Sequence, residues 1–158
     1  MSDNVSSAAN QQERLLVKLN TNYVIGLVDG EGYFSVSARY GKQKNWLLKD
    51  VKFMFGIKLR ADDGKIILNA VRKFFDCGSV YFRKDTRKNF CNCYEFQVGT
   101  HKEIFNKIIP FFQKNQLLFP SRRKTFKRFC KIAEMVQRKE HIRKGGIEKI
   151  QKLAKELH

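Results

Sequence analysis

The chain has 158 residues, 42% of them hydrophobic and 14 of them Phe, which is enough for one well-filled core and leaves little for a second domain. A formal net charge of +17 calls for a polyanionic partner, either a nucleic acid or an anionic surface. No apolar run approaches the length of a membrane span, and Met1–Asn20 has no apolar segment of the kind a secretory signal needs, so a membrane partner is set aside. Cys77, Cys91, Cys93 and Cys130 lack paired C-x-x-C spacing, and are read as reduced thiols of an intracellular protein rather than zinc ligands.

Residues 1–18 are expected to be a flexible extension, since Met1–Arg14 is rich in Ser, Asn and Gln; residues 19–158 form a single domain. Asn20 or Thr21 can cap a short helix in which Val24, Leu27 and Val28 share a face and Tyr23 and Ile25 cover others. Gly26 and Gly30 are four apart, so one face of that helix carries no side chains and another backbone can come close. Gly30 and Gly32 are expected to end it through left-handed backbone. Asp29 and Glu31 fall at the negative end of the helix dipole, where carboxylates are disfavoured unless something positive arrives. A divalent cation held by carboxylate and carbonyl oxygens would serve. A glycine-rich helix stop with two solvated acids would carry the same residues.

Tyr33–Arg39 follows as a strand, then a polar loop over Tyr40–Lys49, then a strand over Lys49–Lys58 with Val51, Phe53, Phe55 and Ile57 inward. Asp62 or Asp63 is expected to cap a second helix that buries Ile66, Ile67, Ala70, Val71, Phe74 and Phe75. A hairpin of Val80–Lys84 and Phe90–Val98 turns Val80, Phe82, Tyr94, Phe96 and Val98 inward. Thr100 opens a helix that ends near Pro110, and Phe111–Pro120 connects to a basic helix capped by Ser121 and running to about Arg138. Lys144-Gly145-Gly146 breaks the chain before a last amphipathic helix, Ile147–Leu157. The fold class is α+β: two αββ units that make one four-stranded antiparallel sheet backed by helices.

Val24-Ile25-Gly26-Leu27-Val28-Asp29-Gly30-Glu31-Gly32 resembles the LAGLIDADG motif of homing endonucleases, with Gly26, Leu27, Asp29 and Gly32 matching letter for letter. It occurs once, as in the members that work as homodimers. The resemblance, extending from about Leu19 to the C-terminus, implies a site-specific double-strand DNA endonuclease. Two motif helices would pack at a dimer interface through Val24, Gly26, Leu27 and Gly30. Glu31 would be catalytic and, with the Gly30 carbonyl, would bind Mg²⁺ (or Mn²⁺) at the minor groove, leaving short 3′ overhangs on a long pseudo-palindromic target. Arg122 or Lys124 matches the cation that the family carries at the start of the later helix, Arg122 falling first after the connector. The family often has a Gln after the second strand; here Arg60 stands in that region.

The outward residues of the sheet, Ser35, Ser37, Arg39, Lys52, Met54, Lys58, Tyr81, Arg83, Glu95 and Gln97, would lie along DNA, because strands fit the major groove and such donors read base edges. Arg60, Arg123 and the loop residues Lys42, Lys44, Lys49, Arg87 and Lys88 would hold phosphates. The same scaffold serves intron RNA maturases and catalytically silent DNA-binding regulators, and those remain alternatives, as do organellar and bacterial hosts.

Overall fold

The computed structural model of the protein describes residues 17–43 and 46–157; the expectations for Met1–Arg14 and for the side chains of Lys42 and Lys44 lie outside the described residues. Helix α1, Thr21–Glu31, starts at Asn20, whose side-chain oxygen accepts from the Tyr23 N–H at 2.9 Å. Gly32 ends it in extended backbone, φ −82°, so the expected left-handed stop is corrected. Glycine is required there for space: a Cβ would stand 2.7 Å from both Cγ1 and the carbonyl oxygen of Val28.

Strands β1, Gly32–Gln43, and β2, Trp46–Arg60, form an antiparallel hairpin longer than expected, replacing the polar loop read over Tyr40–Lys49. Helix α2 is Ala61–Phe75, and β3, Ser79–Arg83, pairs with β4, Cys93–Val98, which begins three residues later than the strand expected from Phe90. The sheet order is β1-β2-β4-β3, all antiparallel, so the two αββ units meet at the β2–β4 seam.

Three capping and packing expectations change. Asp62 and Asp63 lie inside the first turn of α2, with Arg60 at the cap position and making no side-chain cap bond. Leu68 is buried in α2 while Ile66 is exposed, which rotates the buried face by part of a turn. Phe82 is 51% exposed because β3 is a short edge strand reaching past the helices; it pairs only with Tyr94, at 5.3 Å between ring centroids.

Helix α3, residues 101–114, begins at Thr100, whose hydroxyl accepts from the Glu103 N–H, and does not stop at Pro110. It runs as His101–Glu103, a π-helical turn Ile104–Ile108, and Ile109–Lys114. Proline cannot bond back within an α-helix and crowds the turn behind it, but the wider π turn lets Pro110 stand in the first turn of a new segment. Helix α4 is Pro120–Gln137, with the same proline placement, so Ser121 is inside it rather than capping it. Helix α5, Gly146–Lys155, lies against β1, where the Gln151 side-chain amide donates to the Ala38 carbonyl at 2.9 Å.

The helices cover one face of the sheet. Phe34, Phe53, Phe55, Ile57, Phe96 and Val98 point into it from the strands and are at most 2% exposed. Phe34 stacks on Phe55 at 5.1 Å and meets Phe126 and Phe129 of α4 at 5.2 Å each, which ties β1 to α4. Each such ring pair adds about 0.5–1.5 kcal/mol beyond its burial. The core thereby fixes α1, α4 and the opposite sheet face relative to one another.

Candidate active site and nucleic-acid interface

The end of α1 and the start of α4 hold each other by exchanged side chains. Asp29 is 3% exposed, and its carboxylate accepts from the backbone N–H groups of Leu118, at 2.8 Å, and Phe119, at 3.3 Å. These lie just ahead of α4, so Asp29 fixes the chain as it enters the helix without capping the free N–H groups of its first turn. Arg122, on the first turn of α4, donates from Nε to the Asp29 carbonyl at 3.1 Å and from Nη2 towards the Gly30 carbonyl at 3.5 Å. Each helix therefore meets the opposite charge that its dipole favours. The positive groups that meet the Asp29 carboxylate are the peptide N–H groups of Leu118 and Phe119, while the Arg122 guanidinium meets its backbone carbonyl.

Glu31 is exposed at the same end of α1. Among the described residues it forms no ion pair, and no three His, Cys, Asp or Glu side chains come together as a metal cluster. One chain thus offers a hard cation a free carboxylate and the Gly30 carbonyl. That donor set suits Mg²⁺ in kind but leaves most of its oxygen positions to be supplied from outside the chain. Arg122 already approaches the Gly30 carbonyl from one side.

Of the expected interface residues, Gly26 and Gly30 are exposed, and a Cβ built on either would meet nothing within 4 Å. Leu27 is half-buried beside them. Val24 is a correction: it is fully buried in its own core, because the helix turns it away from the glycine face. Tyr23, 46% exposed, takes its place on the open side.

Strand register puts the expected reading residues on one face of the sheet. Ser35 stands opposite Met54, Ser37 opposite Lys52 and Arg39 opposite Asp50, and Lys58, one residue beyond the β1 pairing, stands opposite Glu95 of β4. Tyr81 stands opposite Glu95 on the other side. Sequence reasoning omitted Tyr33 and Gly56 from this face, although Tyr33 shares the period of Ser35 and Ser37. The Tyr33 ring lies across β2 at Gly56, where a Cβ would stand 2.4 Å from its Cζ. Its hydroxyl donates to Glu95 Oε1 at 2.8 Å and accepts from Gln97 Nε2 at 3.1 Å. Arg83 donates from Nε to Glu95 Oε2 at 2.7 Å and from Nη2 to Gln97 Oε1 at 3.4 Å.

Glu95 is therefore only 6% exposed and both its oxygens are taken, which corrects its place as a free DNA contact. Burial raises its pKa, but the Tyr33 and Arg83 hydrogen bonds and the Lys58 and Arg83 charges outweigh that and leave it below its ordinary value. Burial pushes the Tyr33 hydroxyl up; Gln97 pulls it back and Glu95 adds to the rise, so it stands at about 12.

The remaining cations divide by position. Arg39, Lys52 and Lys58 are exposed on the open face, and Arg60 is exposed at its end, donating to Cys91 Sγ at 3.4 Å. Arg87 is clamped to Asp85 through Nε at 3.0 Å and Nη2 at 2.6 Å and lies over the Phe90 ring at 3.8 Å. Lys49 reaches the Ile142 carbonyl at 2.6 Å instead of standing free. Arg123 and Lys124, with Gln116, Pro120 and Lys127, line a cavity of about 300 Å³ beside α4. Of the two candidate active-site cations, Arg122 is the one that hydrogen-bonds to the end of α1 among the described residues.

Residues 24–133 match the sequence profile of the LAGLIDADG endonuclease family. The chain is 34% identical to the homing endonuclease I-TnaI in its crystal structure, at a TM-score of 0.73, covering 89% of this chain and 88% of that one. With the I-LtrWI LAGLIDADG homing endonuclease bound to target DNA, identity is 32% and the TM-score 0.76, over 88% of this chain and 44% of that one. A probable intron-encoded endonuclease 2 of Neurospora crassa is 30% identical over 138 residues, 86% of this chain and 27% of that protein. A probable intron-encoded DNA endonuclease 1 of Mycosarcoma maydis is 24% identical over 62% of this chain and 32% of its own length, so the chain spans about a third or less of these fungal relatives.

Proposed function

The chain belongs to the LAGLIDADG endonuclease family, and from that premise we propose that it is a site-specific double-strand DNA endonuclease acting as a homodimer. The observation that carries this reading is one helix with two exposed functions, a bare glycine face for a partner backbone and Glu31 at its end. Two copies packed through Gly26 and Gly30 bring two Glu31 carboxylates together. The coverage supports this: the chain matches nearly all of I-TnaI but under half of I-LtrWI, which leaves the longer chain room for two such units.

In this reading the open sheet face lies in the major groove, with Ser35, Ser37, Arg39, Lys52, Met54 and Lys58 along it and Tyr81, Arg83 and Gln97 at its second hairpin. Bound by Glu31 and the Gly30 carbonyl, Mg²⁺ or Mn²⁺ would supply charge stabilisation at the scissile phosphate and its leaving 3′-oxygen. The chain's own part is positional. Asp29 fixes the end of α1, and Arg122 holds the last carbonyls of that helix and places a fixed cation beside the reacting phosphate. Lys124, which makes no hydrogen bond to the end of α1 among the described residues, serves a flanking phosphate. Two such sites would cut both strands across the minor groove and leave short 3′ overhangs on a pseudo-palindromic target.

The test is sequencing of DNA ends after digestion of a randomised duplex library with purified protein and Mg²⁺, beside Glu31→Gln. Paired breaks at one recurring sequence, lost in the variant while duplex binding persists, are expected. Equal cutting by Glu31→Gln, or tight RNA binding with no DNA breaks, overturns the assignment. Gly26→Leu disturbs nothing within its own subunit, so light scattering should report a monomer; an unchanged mass rejects this interface.

A further inference from the structure

The open sheet face of a chain with net charge +17 contains a nearly buried acid at its centre, and that needs a reason. A carboxylate there repels an approaching phosphate backbone and gives up its own hydration. Glu95 is compensated by a closed ring of four hydrogen bonds that spans three strands: Tyr33 on β1, Glu95 and Gln97 on β4, and Arg83 on β3.

The chemistry of the members allows this ring one direction only. An ionised carboxylate accepts and cannot donate, and a guanidinium donates and cannot accept. Tyr33 must therefore spend its single proton on Glu95, which leaves its oxygen to accept. Gln97 must turn its amide nitrogen towards Tyr33 and its oxygen towards Arg83. With that oxygen turned to Arg83, Gln97 has its remaining N–H, and Arg83, which has no acceptor at all, has its free N–H groups to present to whatever lies over the sheet. Gly56 makes room for the Tyr33 ring that closes the ring, since any Cβ there would collide with it. The Tyr81 ring, 5.5 Å from the Arg83 guanidinium, supports the same fork from the neighbouring position.

In the major groove, paired acceptors facing two parallel donors are the O6 and N7 of guanine, whereas adenine offers one acceptor and one donor. We propose that Glu95 is a specificity-determining positioning residue, whose carboxylate sets the direction of the ring and so makes the second hairpin a donor-only reader that selects guanine. This rests on the DNA-binding reading above and adds to it which residues choose one base and why. A Gln at position 95 would break the ring, because its amide nitrogen must face one neighbour. Turned to Arg83 it meets another donor. Turned to Tyr33 it sends the Tyr33 proton to Gln97 and the Gln97 amide nitrogen against Arg83, so the fork loses a support either way.

The experiment is enrichment of a randomised duplex library by wild type, Glu95→Gln, Tyr33→Phe and Arg83→Ala, with bound sequences read at each position. Wild type should prefer guanine at one position per half-site by about 10- to 100-fold over adenine. Arg83→Ala should erase that preference and so identify the position. Glu95→Gln should lose tenfold or more of it at that position alone, with preferences elsewhere retained. Tyr33→Phe, which keeps the aromatic ring and the Arg83–Glu95 pair but removes the hydroxyl with both of its hydrogen bonds, should give a smaller loss at the same place; it carries the test if Glu95→Gln does not fold. Guanine preference unchanged in both variants overturns this proposal while leaving the proposed function intact. Failure of wild type to enrich any duplex overturns both.

Discussion

Asp29, at the end of the motif helix, and Glu95, in the middle of the open sheet, are both nearly removed from solvent, yet they are satisfied by different kinds of partner. Asp29 accepts from the peptide N–H groups of Leu118 and Phe119, so its partners are present whatever side chains stand there. Glu95 accepts from Tyr33 and Arg83, so its partners are themselves substitutable. An acid tied to backbone makes a joint that the fold depends on, and its loss strands donors that nothing else can reach. An acid tied to side chains makes a setting that exchange at positions 33, 83 or 97 can change while the strands remain. The first arrangement suits the invariant geometry of a reacting centre, and the second suits a surface that chooses among sequences.

The comparison is tested hardest at Asp29. Asp29→Ala leaves two donors without an acceptor, at ~1–3 kcal/mol each, for a total of about 3 kcal/mol. The unfolding midpoint should fall by roughly 6–12 °C in calorimetry for a domain of this size. Asp29→Asn keeps one acceptor and should cost about half as much. A loss below about 1 kcal/mol for Asp29→Ala would show that the joint is held by packing alone.

Next in size is Gly56→Ala, which drives a methyl group into the Tyr33 ring and should cost about 1–3 kcal/mol in urea titration. Because the ring then leaves Glu95, the variant should also lose its guanine selection, which separates it from an ordinary overpacked strand. Arg122→Ala should cost less, about 1 kcal/mol, since it removes a partly exposed donor from a helix C-terminus. Its cleavage rate should fall more than its duplex affinity; an equal fall in both would place Arg122 in binding only.

The smallest effect is in pH dependence. Glu95 sits below its ordinary pKa in the folded chain, so the folded state holds fewer protons than the unfolded one as acid is added. Its stabilisation is complete above the ordinary carboxyl value of 4.5 and is lost as the pH falls through the lowered folded value. Glu95→Gln should therefore show a shallower loss of stability on the acid limb than wild type. An identical acid limb would mean that the ring does not favour the ionised form.

Much of the site was legible before any coordinates. The motif Val24–Gly32, the alternation of Val51, Phe53, Phe55 and Ile57, and the helix-start cations after Pro120 are local patterns, and each marks its element correctly. The failures are equally specific. Capping by Ser121 is the local expectation, but Pro120 already stands in the first turn and Phe119 at the cap position, and the contact that holds the chain entering α4 comes from Asp29 on α1. Pro110 was read as a stop because the π turn that accommodates it has no local signature. Val24 was assigned to the interface because a helix apolar nearly all round does not announce which side is inward.

By itself, then, the sequence pointed through charge to a polyanionic partner, and determined the α+β order through periodicity and the acid at the end of a glycine-faced helix. Those properties depend on residues near one another along the chain. Only the tertiary structure decided that Asp29 is a joint, that Glu31 is exposed and forms no ion pair among the described residues, that Arg122 bonds to the last carbonyls of α1, and that Glu95 is enclosed by Tyr33, Arg83 and Gln97. Each of these depends on donors and acceptors brought together from positions far apart in the chain, and hydrogen-bond direction has no counterpart in composition or period.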